Sequence, residues 1–310
     1  LHPSPSSPPP GKPPSSAALN WPPIAHFIDR EARLADTAER RGPLALGVYE
    51  FIRFGVKQGW ACLFGGAMLA LIIATHLWYP SRTPIARYDA LVAGALAIQV
   101  ILLATRLERW DEALAILVFH IVGTTMEVFK TAIGSWIYPE ASVLHIGGVP
   151  LFTGFMYAAI GSYLARVWRL FDFRFTHHPS LIFLATLSMC IYINFFSHHF
   201  LPDVRYILIL ATCILFGRTT VYFRVWKQYR HMPLLLGFLL VALFIWFAEN
   251  IGTGMNVWRY PSQRHHWAMV PVAKLQAWFL LMIVSYTLVA FVTRPRPLRD
   301  RVLTDSYAIS

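Results

Sequence analysis

The sequence predicts an all-α fold: a polytopic transmembrane bundle of about eight spans, built as two parallel four-helix repeats. Three observations carry this. Apolar residues fall in long runs, and about 20 such residues cross roughly 30 Å of hydrocarbon. Lysine and arginine crowd the segments on one side of those runs. A glutamate followed by tryptophan, tyrosine and proline occurs twice, at the same offsets. With 56% of residues hydrophobic and only 14% charged, an ordinary soluble domain is excluded. The formal net charge of +11 reads as membrane orientation, not as nucleic-acid binding.

Residues 1–21 are rich in proline and serine and carry no recurring apolar positions, so a disordered tail is expected. The tail lacks the apolar core of a signal peptide, so cleavage and secretion are not implied. Residues 22–57 place Ile24, Phe27, Ile28 and Leu34, then Phe51, Ile52 and Phe54, among Arg30, Arg33, Arg40, Arg41, Arg53 and Lys57. This pattern reads as cytoplasmic helices lying at the membrane surface, with a partly ordered lead-in as the alternative.

The spans follow at about 59–78, 88–106, 112–135, 149–168, 181–200, 204–223, 232–252 and 271–292. The first four form one repeat within 58–170 and the last four a second within 171–295. A cytoplasmic tail, 296–310, ends the chain. With the N-terminus inside, 19 of the 27 Lys and Arg residues face the cytoplasm and 6 face outward; Lys130 and Arg218 fall within spans. Reversal would invert that bias, so both termini are expected inside. Cys62, Cys190 and Cys213 lie in spans without CxxC spacing and read as small core residues.

Duplication rests on ordered matches. Glu127, Trp136, Tyr138 and Pro139 recur 122 residues later as Glu249, Trp258, Tyr260 and Pro261. His76 and Pro80 recur at the same offset as His198 and Pro202. Arg87-Tyr88 and Arg205-Tyr206 open the second and sixth spans, and Val149-Pro150 and Val270-Pro271 the fourth and eighth. Four helices per copy keep both copies in one orientation, so they are related by an axis along the membrane normal, with any shared site between them.

A charge at the centre of a spanning helix costs about 2.5–3.5 kcal/mol on insertion scales, so one placed there has a job or a partner. Glu127 lies about 22 Å from the inner end of its helix at 1.5 Å per residue, in the outer third of the membrane, and Glu249 lies at a similar depth. His120, Thr124, Glu127, Thr131 and Gly134 share a helix face. Asn194 and His198 share another. Glu127, Glu249, Lys130 and His198 are the catalytic candidates: two carboxylates with separated pKa values can serve as acid and base. His76, His120, Asn194, His199, Asn250, Trp136, Tyr138, Trp258 and Tyr260 are candidates for substrate binding. The plainer readings are an ion pair between Glu127 and Lys130, aromatic-belt anchoring by Trp136, Tyr138, Trp258 and Tyr260, and headgroup contacts by the histidines.

Three His-His pairs fall on opposite sides of the membrane and lack HxxxH or HxxHH spacing, which rejects a di-iron desaturase. One ion held by some of His76, His198, His199 and Glu127 is the remaining metal alternative. No metal site and no cofactor is assigned.

These residues also carry a family resemblance. KQGWACLFGG (Lys57–Gly66), HLWYP (His76–Pro80), MEVFKTAIGSWIYPE (Met126–Glu140), GGVPLFTGFMYAAIGSY (Gly147–Tyr163), NFFSHHFLPD (Asn194–Asp203) and MPLLLGFLLVALFIWFAENIGT (Met232–Thr253) resemble the YoaT-like family of bacterial integral membrane proteins, domain of unknown function 817. The resemblance covers about residues 44–295. It implies membrane location and no established activity, and it brings no catalytic residues; the bacterial inner membrane is the expected location. Glu127, Gly134, Tyr138 and Glu249 also resemble features of membrane enzymes of carotenoid metabolism. Three functions stay open: an enzyme acting on a lipid or isoprenoid by acid–base chemistry near the outer face, a transporter with its site between the repeats, and a non-catalytic scaffold. Membrane lipids are the expected partners. Substrate, reaction and oligomeric state are not specified.

Overall fold

A computed structural model of the chain describes residues 22–80 and 82–298. The tail at 1–21 and most of the expected C-terminal tail, 299–310, lie outside the described residues. The described residues divide into two compact units, one up to Gly55 and one from Val56 onward. The first holds α1 (Pro22–Arg41) and the greater part of α2 (Pro43–Ala61). Gly42 between them takes φ +103°, a conformation that favours glycine.

The second unit is mostly helical: α3 (Leu63–Trp78), α4 (Arg87–Ala104), α5 (Trp110–Ala132), α6 (Phe152–Phe171), α7 (Leu181–Ser197), α8 (Arg205–Phe216), α9 (Leu234–Gly254) and α10 (Ala273–Thr293). Each falls on one of the predicted apolar runs. Among the described residues, α4, α5 from Glu112, α9 and α10 are each long and apolar enough to cross a membrane, and α2 and α3 pass the same test when taken together. Large apolar side chains such as Val100, Leu117, Ile121, Phe183, Ile207, Ile214, Phe244 and Phe247 are exposed along these helices. A water-facing bundle does not present apolar surface on that scale, whereas a lipid-facing one does. The chain is a helical membrane protein.

The helices pack in a recurring order. α3 packs on α4 and α6, and α7 packs on α8 and α10. α5 packs along α6 and α9 along α10. Between these groups, α6 meets α10, α3 meets α9, and α7 meets α5. Phe64, Met68, Phe119, Leu164, Trp168, Leu184, Phe238 and Tyr286 form the main buried cluster.

Two small sheets sit at the helix ends. β1 (His145–Ile146) and β2 (Val149–Pro150) make an antiparallel hairpin. Gly147 and Gly148 form its two-residue turn, both at positive φ, as a primed hairpin turn requires. β3 (Arg174–Thr176), β4 (Thr220–Arg224) and β5 (Tyr229–Pro233) form an antiparallel sheet in that order. The apolar run at 204–223 is therefore not helical throughout. α8 stops at Phe216 before Gly217, and the β-branched residues Thr219, Thr220 and Val221 lead into β4 instead.

Candidate functional site

α5 and α9 each carry one buried carboxylate, and the loop after each helix folds back over it. Glu127 is 4% exposed. Its Oε2 accepts from Trp136 Nε1 at 2.7 Å and from the Tyr138 hydroxyl, and its Oε1 accepts from the Tyr157 hydroxyl at 2.7 Å. Glu249 is also 4% exposed. Its Oε1 accepts from the Tyr260 hydroxyl, and its Oε2 accepts from Trp278 Nε1 at 2.7 Å. Burial first, and then the adjacent carboxylate, hold the loop phenols Tyr138 and Tyr260 well above the ordinary tyrosine value, so they stay protonated and donate.

The two carboxylates belong to one aromatic cluster. Trp136 meets Tyr260 edge-on with ring centroids 6.0 Å apart, and Tyr157 lies 6.4 Å from Trp278. Lys274 Nζ sits 4.3 Å from the Tyr260 ring centre and 5.4 Å from that of Trp136. One cation thus covers an aromatic ligand of each carboxylate. Ile137 and Arg259, between the tryptophan and tyrosine of each loop, exchange backbone hydrogen bonds at 3.0 and 2.9 Å.

Lys130 takes a different path from the expected ion pair. Glu127 is already supplied with three donors, and Lys130 Nζ lies 2.7 Å from His199 Nε2 and 4.1 Å from the Phe195 ring centre. Lys130 is 3% exposed, whereas His199, just past the end of α7, is exposed. Partial burial first, and then the Lys130 ammonium, hold His199 down at about 4. The imidazole is therefore neutral at ordinary pH, and its Nε2 accepts from Lys130 when Lys130 is charged. His198 stacks on His199 at 4.0 Å, with its Nδ1 on the Asn194 carbonyl at 2.9 Å.

The remaining candidates separate into framework and periphery. Asn194 bridges Asp203 and the Val204 amide at 3.1 Å each, which closes the α7–α8 turn. Asn250 donates to the Trp246 carbonyl and accepts from the Val270 amide, both at 2.8 Å, pinning the loop before α10. Trp258 does not reach a carboxylate as Trp136 does. Its ring packs on Gly252, where a Cβ would lie 2.3 Å away. The His120 ring lies tilted against Phe155, centroids 4.5 Å apart, within the α5–α6 contact, and its Nδ1 is buried without a partner, as is Thr124 Oγ1. His76 is exposed on the last turn of α3 and takes no part in the cluster. Trp136, Tyr138 and Tyr260 are hydrogen-bonded inside the protein, not spread as interfacial anchors. Among the described residues, no group of three or more His, Cys, Asp or Glu side chains is arranged to hold a metal ion.

Tyr157, Trp278 and Lys274 were missing from the sequence candidates. The spacing held a signal for the first two: Tyr157 follows Glu127 by 30 residues and Trp278 follows Glu249 by 29.

Comparison with known proteins bears on the greater part of the chain. The family described as Protein of unknown function (DUF817) matches residues 50–286. The Uncharacterized protein YoaT of Bacillus subtilis (strain 168) is 39% identical over 243 residues, covering 78% of this chain and 91% of that protein. The crystal structure of MvINS, a mycobacterial Insig homolog from Mycobacterium vanbaalenii, aligns with a TM-score of 0.40 at 14% identity, over 61% of this chain and 98% of that one. A cross-linked MvINS trimer aligns with the same values.

Proposed function

The chain belongs to the DUF817 family, and from that premise we propose that it is a bacterial inner-membrane enzyme converting a lipid or isoprenoid by acid–base chemistry near the outer face. The observation that carries this reading is the Lys130–His199 pair. A buried ammonium is met at 2.7 Å by an exposed imidazole, and burying a charge requires a partner. With Nε2 accepting, the proton of His199 sits on Nδ1. The pair is built to pass a proton between the bundle and a molecule at the headgroup level. Glu127 and Glu249 hold the surrounding phenols and indoles in place.

The wider architecture in this reading is eight spans in two parallel repeats with both termini cytoplasmic. The coincidence of α3–α10 with the eight apolar runs supports the spans. Three further features support the repeats: the matching pairings of α3 with α9 and α7 with α5, the meeting of α6 with α10, and the reciprocal bonds of Ile137 and Arg259 at positions 122 apart. The bias of Lys and Arg supports the orientation.

The test is lipid profiling of a deletion strain complemented with wild type, Lys130→Met or His199→Asn at matched protein levels. Loss of one lipid conversion in both variants is expected. An unchanged lipid profile in the deletion strain overturns the reading. A second reading, a non-catalytic scaffold, is favoured by one observation: each oxygen of both carboxylates already accepts a hydrogen bond from the protein. That reading expects Lys130→Met and His199→Asn to leave lipids unaltered.

A further inference from the structure

At the opposite end of the bundle from the carboxylates, a cavity of about 340 Å³ opens among the ends of α5, α6 and α10. Arg109 and Glu112 enter it from the start of α5, Arg169 from the last turn of α6, Asp172 from just beyond, and Arg296 from the segment after α10. One wall is apolar, formed by Trp168 with Val289 and Val292.

Glu112 is taken up by Arg169 at 3.2 Å and by the Arg109 backbone amide at 2.9 Å. Asp172 is taken up by Arg174 at 3.1 Å, Arg224 at 3.3 Å and the Tyr229 hydroxyl at 2.7 Å. Three guanidinium groups, those of Arg109, Arg169 and Arg296, thus line the cavity beside two carboxylates that are both already engaged. Arg296 stands exposed at the mouth. The Arg296 backbone is fixed, because its carbonyl accepts from the Phe175 amide at 3.0 Å in β3. Guanidinium groups beside a tryptophan and valines match a ligand whose anionic head continues into hydrocarbon. The same end of the bundle carries most of the Lys and Arg, the side that faces the anionic cytoplasmic leaflet.

We infer that the cavity bounded by Arg109, Arg169 and Arg296 is a binding site for the phosphate headgroup of an anionic phospholipid from the cytoplasmic leaflet. The guanidinium groups hold the phosphate, and the Trp168–Val289–Val292 wall receives the glycerol end of the chains. The volume suits a headgroup and not a whole lipid, so the acyl chains remain in the bilayer. Both halves contribute, α5 and α6 from one and α10 from the other, so an occupied site ties them together at this end.

Native mass spectrometry of the full chain released from nanodiscs of phosphatidylcholine with phosphatidylglycerol tests this, alongside thermal unfolding in the same discs. The wild type should retain phosphatidylglycerol and unfold at a higher temperature than in phosphatidylcholine alone. Arg296→Ala should reduce retention at least twofold and remove most of that shift. Arg296→Lys, which keeps the charge, should retain more lipid than Arg296→Ala. Full retention by Arg296→Ala overturns the proposal. So does an equal thermal shift from millimolar inorganic phosphate in phosphatidylcholine discs, which would mark a site for a free anion.

Discussion

Ile137 and Arg259 face each other across a two-residue antiparallel bridge, each donating its amide to the other's carbonyl, at 3.0 and 2.9 Å. They stand 122 positions apart, the spacing that separates Glu127 from Glu249. The two loops that cover the carboxylates are thus joined at corresponding residues, and that junction brings Trp136 against Tyr260. The result is one aromatic centre with two acids.

Removing either acid should expose how each is held. Glu127→Ala leaves three buried donors without an acceptor, and Glu249→Ala leaves two. An unsatisfied buried donor costs about 1–3 kcal/mol, so Glu127→Ala should be the more destabilising. Glutamine should rescue both. Its oxygen can face the indole while its amide donates to a phenol oxygen. Thermal unfolding in nanodiscs checks the ranking Ala below Gln at both positions.

Arg166 is the largest fully buried side chain, paired with Glu108 at 3.2 Å where both side chains are 0% exposed. Glu108 also accepts from Ser162 and Gln99. Arg166→Ala should cost about 3–5 kcal/mol, because it strands a buried carboxylate. Changing both Arg166 and Glu108 to apolar residues should cost less than Arg166→Ala alone. Chemical denaturation of the single and double variants measures this.

His199 sets a pH dependence. Its folded value, about 4, lies below the unfolded value near 6.5. Between those limits the unfolded chain binds more protons, so stability should rise with pH from about 4 to 6.5 and level off above. His199→Asn should flatten that part of the curve. A stability profile from pH 4 to 8 for both proteins decides it.

Gly123 lets Tyr157 reach Glu127. A Cβ on Gly123 would lie 2.5 Å from Tyr157 Cγ. Gly123→Ala should displace that ring and destabilise by about 1–3 kcal/mol, as overpacking does. Combined with Tyr157→Phe, the two changes should be less than additive, since both break the same hydrogen bond.

The helices were legible because a run of about 20 apolar residues leaves few other readings. The acids were legible because a carboxylate inside such a run is rare. Their partners were harder to see. Tyr157 and Trp278 have the same apolar character as the lipid-facing rings around them. Only their spacing from Glu127 and Glu249 separates them. Lys130 lies one helical turn from Glu127, which suggested an ion pair, but three aromatic donors had already filled the carboxylate. The Arg166–Glu108 pair was not legible, since charge counting cannot reveal partners 58 positions apart. β4 was hidden because the short Gly217–Thr220 interruption lies inside a run whose two sides are both apolar, so the run read as one span.

The joined centre is tested most directly by pairing Ile137→Cys with Arg259→Cys in a chain whose Cys62, Cys190 and Cys213 are replaced by serine. Mild oxidation in the membrane should give an intramolecular disulfide in most of the monomer, read by intact mass and by peptide mapping. No cross-link under conditions that oxidise a control pair in the 145–150 hairpin would contradict the account, because the two loops would then not meet over a common centre.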